Sequence, residues 1–330
     1  TILVFAAVLS FGQSQRKVLL EHFTQASCGP CATYNPQINN LLLANPDKIT
    51  AIMYHTSWPG TDPMYNHNTS ENGARTSYYN VSSVPNSVLD GIVYNGHPNG
   101  WNINTVNNRY AVPSSCDISI FHELSAGDDV FTAYVLIEAT DDIPSGMKLQ
   151  LAVIEEHIEF SSPPGSNGET DFYNVMKKLL PNQAGITLPA MQAGEYSIFE
   201  YVWEHENVYD VDELAAVGFI QNNDTKEVMQ AASSTDTPFA APYATDAEIA
   251  KVFNISQNYC IGNMAPKITI RNNGSENLTS LEIVYSVNEG TPLTYNWSGN
   301  LSFLESETIQ LEETDFTVLE INTLEIIAGS

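Results

Sequence analysis

Residues 21–36 read EHFTQASCGPCATYNP, and Cys28 and Cys31 within it are two of the four cysteines in the chain. Only Gly29 and Pro30 lie between them. Such a pair can be a redox centre, half of a metal site or a structural staple. The residues before it, KVLLEHFT, read as a strand, and those after it, CATYNPQINNLLLAN, set Ile38, Leu41, Leu42 and the nearby Leu43 at helical spacing. A strand running into C-x-x-C and then a helix puts the first cysteine among unpaired N–H groups at the positive end of the helix dipole. That position favours the thiolate, the form that attacks disulfides. Pro30 suits a first helical turn, where its missing N–H costs nothing. A zinc site would need a second ligand pair, but Cys116 and Cys260 stand alone with no histidine pair at ligand spacing near them. A disulfide closing so short a loop stabilises little as a staple, because the gain grows with loop length. The redox reading is the strongest of the three.

Outward from this motif, residues 16–112 alternate strand and helix patterns. KITAIMYHT is a strand; a loop rich in Pro, Gly, Asn and Asp follows over Ser57–Asn72. SENGARTSYYN is a short helix with Ser70 as N-cap. SVPNSVLDGIVYNG is a hairpin turning near Asp90–Gly91, and NINTVNNRYAV a closing helix. This is an α/β order around one sheet. Residues 113–234 change character. CDISIFHEL, DVFTAYVLIEAT, MKLQLAVIEEHIEF, EYSIFEYVWEH and LAAVGFIQNN have period-two alternation between turn signals such as SSPPGSNGE, which predicts a β-sandwich. DFYNVMKKLLP is the one candidate helix there. Residues 235–248 read as a linker. Residues 249–330 are strand-like again, with turns at Asn273–Gly274 and Glu289–Gly290, and have the size of a small immunoglobulin-like module that ends as if truncated.

Residues 1–15 read as the remnant of a secretory signal peptide: Ile2–Leu9 is an unbroken apolar run, with Ser10 and Gly12 placed for cleavage. The basic start of such a peptide is missing, so the chain reads as having lost its first residues. No other stretch approaches the roughly 18 apolar residues of a membrane span. The expectation is an exported protein without a transmembrane span, in the periplasm, at the outer membrane or on the cell surface, with its cysteines in an oxidising compartment. The net charge of -27, from 39 acidic and 12 basic residues, repels phosphate backbones and anionic lipid, so no nucleic-acid partner is expected. Acidic groups such as YDVDE lack the spacing of a calcium loop and read as solvated turns. With no Walker, Rossmann, G-x-S-x-G or H-E-x-x-H signature, neither a cofactor nor a metal is expected.

SCGPC resembles the active site of the thioredoxin superfamily, whose own motif is C-G-P-C. Pro36, five residues after Cys31, is similar to the proline that kinks the active-site helix, and SVPNSVLDG resembles the loop that carries a cis-proline, making Val84–Pro85 the expected cis bond. The resemblance implies that Cys28 attacks, that Cys31 resolves the mixed disulfide, and that Val84 and Pro85 shape a groove for an extended substrate. The family's Trp before the first cysteine is Ser27 here, its Lys after the second is Ala32, and its buried Asp is His22, beside Glu21. His22 and Glu21 are therefore the candidates for proton transfer. Over more of the chain, an exported thioredoxin-like segment followed by β-rich modules resembles the Omp28-related outer-membrane proteins of Bacteroidetes-type bacteria. The fold class so implied is an α/β thioredoxin-like domain followed by two all-β immunoglobulin-like sandwiches. The function implied is thiol–disulfide exchange on protein thiols and disulfides with a further redox partner. The alternative is a cell-surface binding or structural protein on a thioredoxin-like scaffold. Cys116 and Cys260 either pair as a structural disulfide or stay separate.

Overall fold

Strand β1 (Val18–Thr24) is buried along its whole length, and the first part of the molecule is organised around it. The computed structural model describes residues 12–236, 239–255 and 262–329. Helix α1 (Gly29–Leu43) returns the chain to β2 (Ile49–His55), parallel to β1. Helices α2 (Pro63–His67) and α3 (Thr69–Tyr78) follow. The hairpin of β3 (Asn86–Leu89) and β4 (Tyr94–Gly96) then runs antiparallel to β1, and α4 (Ile103–Tyr110) closes the order read from the sequence. Alternation along β1 sorts its side chains to two faces. Val18 and Leu20 pack with Ile38 of α1 and Val106 of α4. Leu19 and Phe23 pack with Tyr79, which follows α3.

The N-cap of α3 is Asn68 rather than Ser70: its Oδ1 accepts from the Glu71 N–H at 3.2 Å. Asn68 is better placed because it also closes α2, a helix inside the stretch read as open loop.

A larger correction concerns the boundary expected at residue 112. The chain continues through β5 (Cys116–Leu124), β6 (Val130–Ala139), β7 (Lys148–Glu159), β8 (Asp171–Leu180), β9 (Ile186–Thr187), β10 (Tyr196–Glu204), β11 (Leu214–Gln221) and β12 (Val228–Ser233). Five of these join the first sheet: four extend it in the order β12-β11-β7-β8-β2-β1-β3-β4, and β9 pairs with β7. β8 lies parallel to β2, with Met53 opposite Val175. It covers the edge that β2 would otherwise expose. Residues 113–234 therefore do not stand apart from the first segment, whose sheet their strands extend. β10, β6 and β5 form a separate three-stranded sheet whose Ile120, Val135 and Tyr201 share a core with Leu151 of β7 and Ala216 of β11.

DFYNVMKKLLP is strand β8, not a helix. Lys177 is an extra residue in its pairing with β7 and breaks the period-two alternation, so the buried Phe172, Val175, Met176 and Leu179 imitate helical spacing. The bulge aims the Lys177 ammonium at Glu155, 2.8 Å away.

Thr1–Phe239 is one compact unit and Ala240–Ser330 a second; the division falls within the stretch read as a linker. The second unit comprises β13 (Ala247–Phe253), β14 (Asn263–Met264), β15 (Lys267–Asn272), β16 (Leu278–Val287), β17 (Leu293–Leu301), β18 (Ser306–Gln310), β19 (Thr314–Asp315) and β20 (Leu324–Gly329). Its two three-stranded antiparallel sheets, β13-β15-β18 and β17-β16-β20, close on Ile268, Ile270, Ile283, Tyr285 and Trp297, and β14 pairs with β19 in a small third sheet. The molecule is mostly β, with few helices and a mixed sheet. The apolar run Ile2–Leu9 lies outside the described residues. Among those residues no helix is long and apolar enough to cross a membrane.

Candidate redox site

Cys28 is the N-cap of α1, and Pro30 lies in the first turn. Cys28 and Cys31 are joined in a disulfide, and Cys28 Sγ accepts from the Cys31 N–H at 3.1 Å. The short side chain of Cys28 thus takes the place that Ser or Asp takes in other helix caps. The sulfur of Cys28 also lies 3.6 Å from the Val84 carbonyl oxygen, where the reduced thiol can donate. The Val84–Pro85 bond is cis, as is Trp58–Pro59. The structure therefore brings Cys28, Cys31, Val84 and Pro85 together.

It separates Glu21 from His22. The two are adjacent on β1 and face opposite sides of the sheet. Glu21 is buried and held by Arg75 Nη2 at 2.6 Å and by the Tyr79 hydroxyl at 2.6 Å. It belongs to the face away from α1. His22 is buried beneath α1, with 1% of its surface exposed. Its Nε2 lies 3.2 Å from Asn35 Oδ1 and its Nδ1 3.0 Å from Ser87 Oγ. Asn35 stands one turn beyond Cys31 on α1. Burial pushes the His22 imidazole down to about 4, against the opposing effect of its Asn35 bond, so it is neutral across physiological pH.

Asn35 fixes the tautomer. Its Nδ2 donates to Glu169 Oε1 at 2.8 Å. An ionised carboxylate only accepts, so the amide oxygen of Asn35 must face His22. His22 then carries its proton on Nε2, and its Nδ1 accepts from Ser87.

Two loops hold the motif from outside. Asp62, the N-cap of α2, accepts from the Ala26 N–H at 2.7 Å and pairs with His55 Nδ1 at 2.7 Å. Burial pushes the Asp62 carboxyl up, but His55 and its backbone donors outweigh this and hold it below the usual carboxylate range. The second loop joins β7 to β8. There the Asn167 N–H donates to the Ala26 carbonyl at 3.2 Å, and Asn167 Nδ2 donates to the Cys28 carbonyl at 3.3 Å and to Glu169. Ser27 links the two loops: its Oγ donates to the Thr61 carbonyl at 2.9 Å and accepts from the Ser166 N–H at 3.1 Å. A Cβ on Gly60 would come within 2.8 Å of Ser27, and one on Gly165 within 2.2 Å of the Ala26 carbonyl. The two loops thus close on Ser27 and on the Ala26 carbonyl at the points where these glycines stand. Cys28 retains 2% of its surface and Cys31 none.

Cys116 is a buried free thiol, raised to about 12 chiefly by burial. Cys260, the other member of the pairing left open by the sequence, lies outside the described residues. Sequence reasoning missed Asn35, Asn167 and Glu169. The one signal for the latter two was the turn-rich SSPPGSNGE, read as a β-turn of another domain.

No protein-family model matches the chain, and no curated protein matches its sequence. Among solved structures, its fold is similar to that of HBP35 of Porphyromonas gingivalis: TM-score 0.57 and 12% identity, covering 91% of this chain and 99% of that one. A structural-genomics protein of Agrobacterium tumefaciens matches with TM-score 0.45 and 13% identity over 69% of this chain and 99% of its own.

Proposed function

We propose that this chain is an exported thiol–disulfide oxidoreductase acting on protein thiols and disulfides. The observation that carries the reading is the Cys28–Cys31 disulfide at the start of α1, with the Val84 carbonyl against the Cys28 sulfur. On this reading β2-β1-β3-β4 with α1 and α4 is a thioredoxin-like element, widened by strands from the second segment, and the unit from Ala240 is immunoglobulin-like. The likeness to HBP35 supports relatedness to Bacteroidetes-type proteins of Omp28-related architecture. Export, to the periplasm, outer membrane or surface, rests on the apolar run Ile2–Leu9, and the disulfide is compatible with it.

The exchange balances as follows. With the pair reduced, the Cys28 thiolate attacks one sulfur of a substrate disulfide. The substrate S–S bond breaks and its first thiolate leaves. Cys31 then attacks Cys28 Sγ, a Cys28–Cys31 bond forms, and the second substrate thiolate leaves. The pair loses two electrons and the substrate gains them; the two thiol protons pass to the substrate sulfurs. A dithiol partner returns the pair to its reduced form by the reverse steps. The same residues oxidise substrate thiols when the potentials favour it. Because Cys28 is so well covered, an extended segment threading past Val84 fits better than a folded surface.

The test is disulfide reduction with an artificial dithiol donor. Wild-type turnover well above that of Cys28→Ser is expected; equal rates overturn the reading. A second reading, a binding or structural protein on this scaffold, is favoured by the same 2% exposure of Cys28. A mixed disulfide trapped in cells by Cys31→Ser would count against it.

A further inference from the structure

We propose that Glu169, on the loop between β7 and β8, is a positioning residue that ties the protonation of the Cys28–Cys31 pair to solvent. For its consequence in turnover this rests on the oxidoreductase reading; its measurement does not.

One carboxylate reaches both ends of the motif. Glu169 Oε1 accepts from Asn35, one turn beyond Cys31. Its Oε2 accepts from Asn167, which also donates to the Cys28 carbonyl. Outward, Glu169 lines a cavity of about 500 Å³ with Pro36, Asn39 and Asn40 of α1. It is thus half-buried against the motif and open to water on its other side. Burial raises its carboxyl above the ordinary value, with Asp62 adding to the rise; the bonds from Asn35 and Asn167 and the nearby His55 pull the other way.

The neighbouring ionisable groups are already committed. Glu21 is locked to Arg75 on the opposite face. Asp62 holds His55 and the Ala26 N–H. His22 is fixed and neutral between Ser87 and Asn35. From β8, Asp171 and Tyr173 face the same cavity. Helix α1 carries no charged side chain at all. Glu169 is therefore the carboxylate joined to the motif through both asparagines.

The consequence is electrostatic. When the Cys28–Cys31 bond is reduced, two electrons enter the pair and a cysteine sulfur leaves as thiolate. An ionised Glu169 opposes that negative charge, so the sulfur holds its proton more tightly. A protonated Glu169 does not. By linkage, ionisation of that sulfur raises the proton affinity of Glu169 by the same amount.

The experiment follows alkylation of Cys28 by iodoacetamide in the dithiothreitol-reduced full chain, read by peptide mass spectrometry between pH 5 and 9. Wild type, Glu169→Gln and Glu169→Asp are compared. Removing the charge is expected to speed Cys28 alkylation at pH 6 by roughly threefold to tenfold, the effect of shifting a thiol by up to about one pKa unit. Glu169→Asp is expected to follow wild type. A Glu169→Gln profile superimposable on wild type overturns the proposal. So does a Glu169→Asp profile that moves with Glu169→Gln, since packing rather than charge would then be responsible. Turnover by the same proteins separates the two readings. An altered Glu169→Gln profile without wild-type turnover keeps this inference and removes the oxidoreductase. Turnover with superimposable profiles does the reverse.

Discussion

Glu21 and His22 are consecutive residues of one buried strand, and they have opposite fates. Glu21 enters a closed network. Arg75 donates to it twice and Tyr79 once, and Gln221 meets both Arg75 and Tyr79. The network has its charges balanced and its donors used, and none of its members reaches the disulfide. His22 enters an open network. It leads through Asn35 to Glu169 and on to Asn167 beside the Cys28 carbonyl, and it ends at a cavity. A closed polar network fixes a fold, while an open one can respond to protons and to a change of charge at the sulfur. Which residue belongs to which network is decided by strand alternation alone.

The sharpest way to break this contrast is Arg75→Ala. It leaves the Glu21 carboxylate buried without its partner, at a cost of about 3–5 kcal/mol. Denaturant unfolding should show the loss, and Arg75→Met combined with Glu21→Leu should recover most of it, because a buried pair replaced by apolar groups of similar volume is often neutral. Cys28 alkylation in the folded fraction should be unchanged in both variants. A change there would mean that the two faces are not independent.

The second prediction uses pH. His22 falls from 6.5 to about 4 on folding. Below pH 6.5 the unfolded chain binds a proton that the folded chain refuses, so stability is lost as pH falls from 6.5 toward 4, by about 3 kcal/mol in all. The contribution is fully present above pH 6.5. His22→Gln, which keeps a donor for Asn35, should flatten that part of the stability profile. Glu21→Gln should not flatten it. A slope that survives His22→Gln would place the proton uptake elsewhere.

Much of this was legible in the sequence because it is local. Strand, C-x-x-C and helix are contiguous, so alternation, helical spacing and Pro30 were enough to set Cys28 at a helix start. The fate of Glu21 and His22 was less legible. Both are titratable and both lie near position six before Cys28, and only the partners on each face distinguish them. Glu169 and Asn167 were invisible because their contacts join residues more than 130 positions apart. Nothing in SSPPGSNGE announces that its strands add to the β1 sheet. The misreading of β8 as a helix hid this further: a single bulge at Lys177 removed the alternation that would have marked it as a strand. The place of Ser27 was equally unreadable, since it is bonded to two loops distant in sequence.

Those glycines give the third prediction. Gly165→Ala sets a Cβ 2.2 Å from the Ala26 carbonyl, so the loop must move. The cost is about 1–3 kcal/mol, in the range of overpacking. Because the clash is with backbone, no rotamer change relieves it. Faster hydrogen exchange is expected around Asn167 and Glu169, with the Glu21 network protected as before. Unchanged exchange would show that the loop does not press on the motif.

The smallest effect is expected from Asn167→Ala. It removes the side-chain bonds to the Gln25 and Cys28 carbonyls and to the Glu169 carboxylate, and the Asn167 Oδ1 that accepts from the Glu169 N–H. The Cys28 carbonyl also accepts from the Ala32 N–H at 3.3 Å, so it is not orphaned. Glu169 keeps Asn35. The net loss in stability is therefore about 1–2 kcal/mol, since these bonds lie at a half-buried loop where water replaces part of them. The effect on Cys28 should be larger than this figure implies. Asn167 is the link that ties Glu169 to the first cysteine, while Asn35 ties it to α1 one turn beyond the second. With Asn167 gone, the carboxylate is held from one side only, and water from the cavity gains access to the start of α1. The pH profile of Cys28 alkylation should then fall between those of wild type and Glu169→Gln. A profile equal to wild type would mean that Asn35 alone positions the charge, and the two cysteines would differ in their coupling to it.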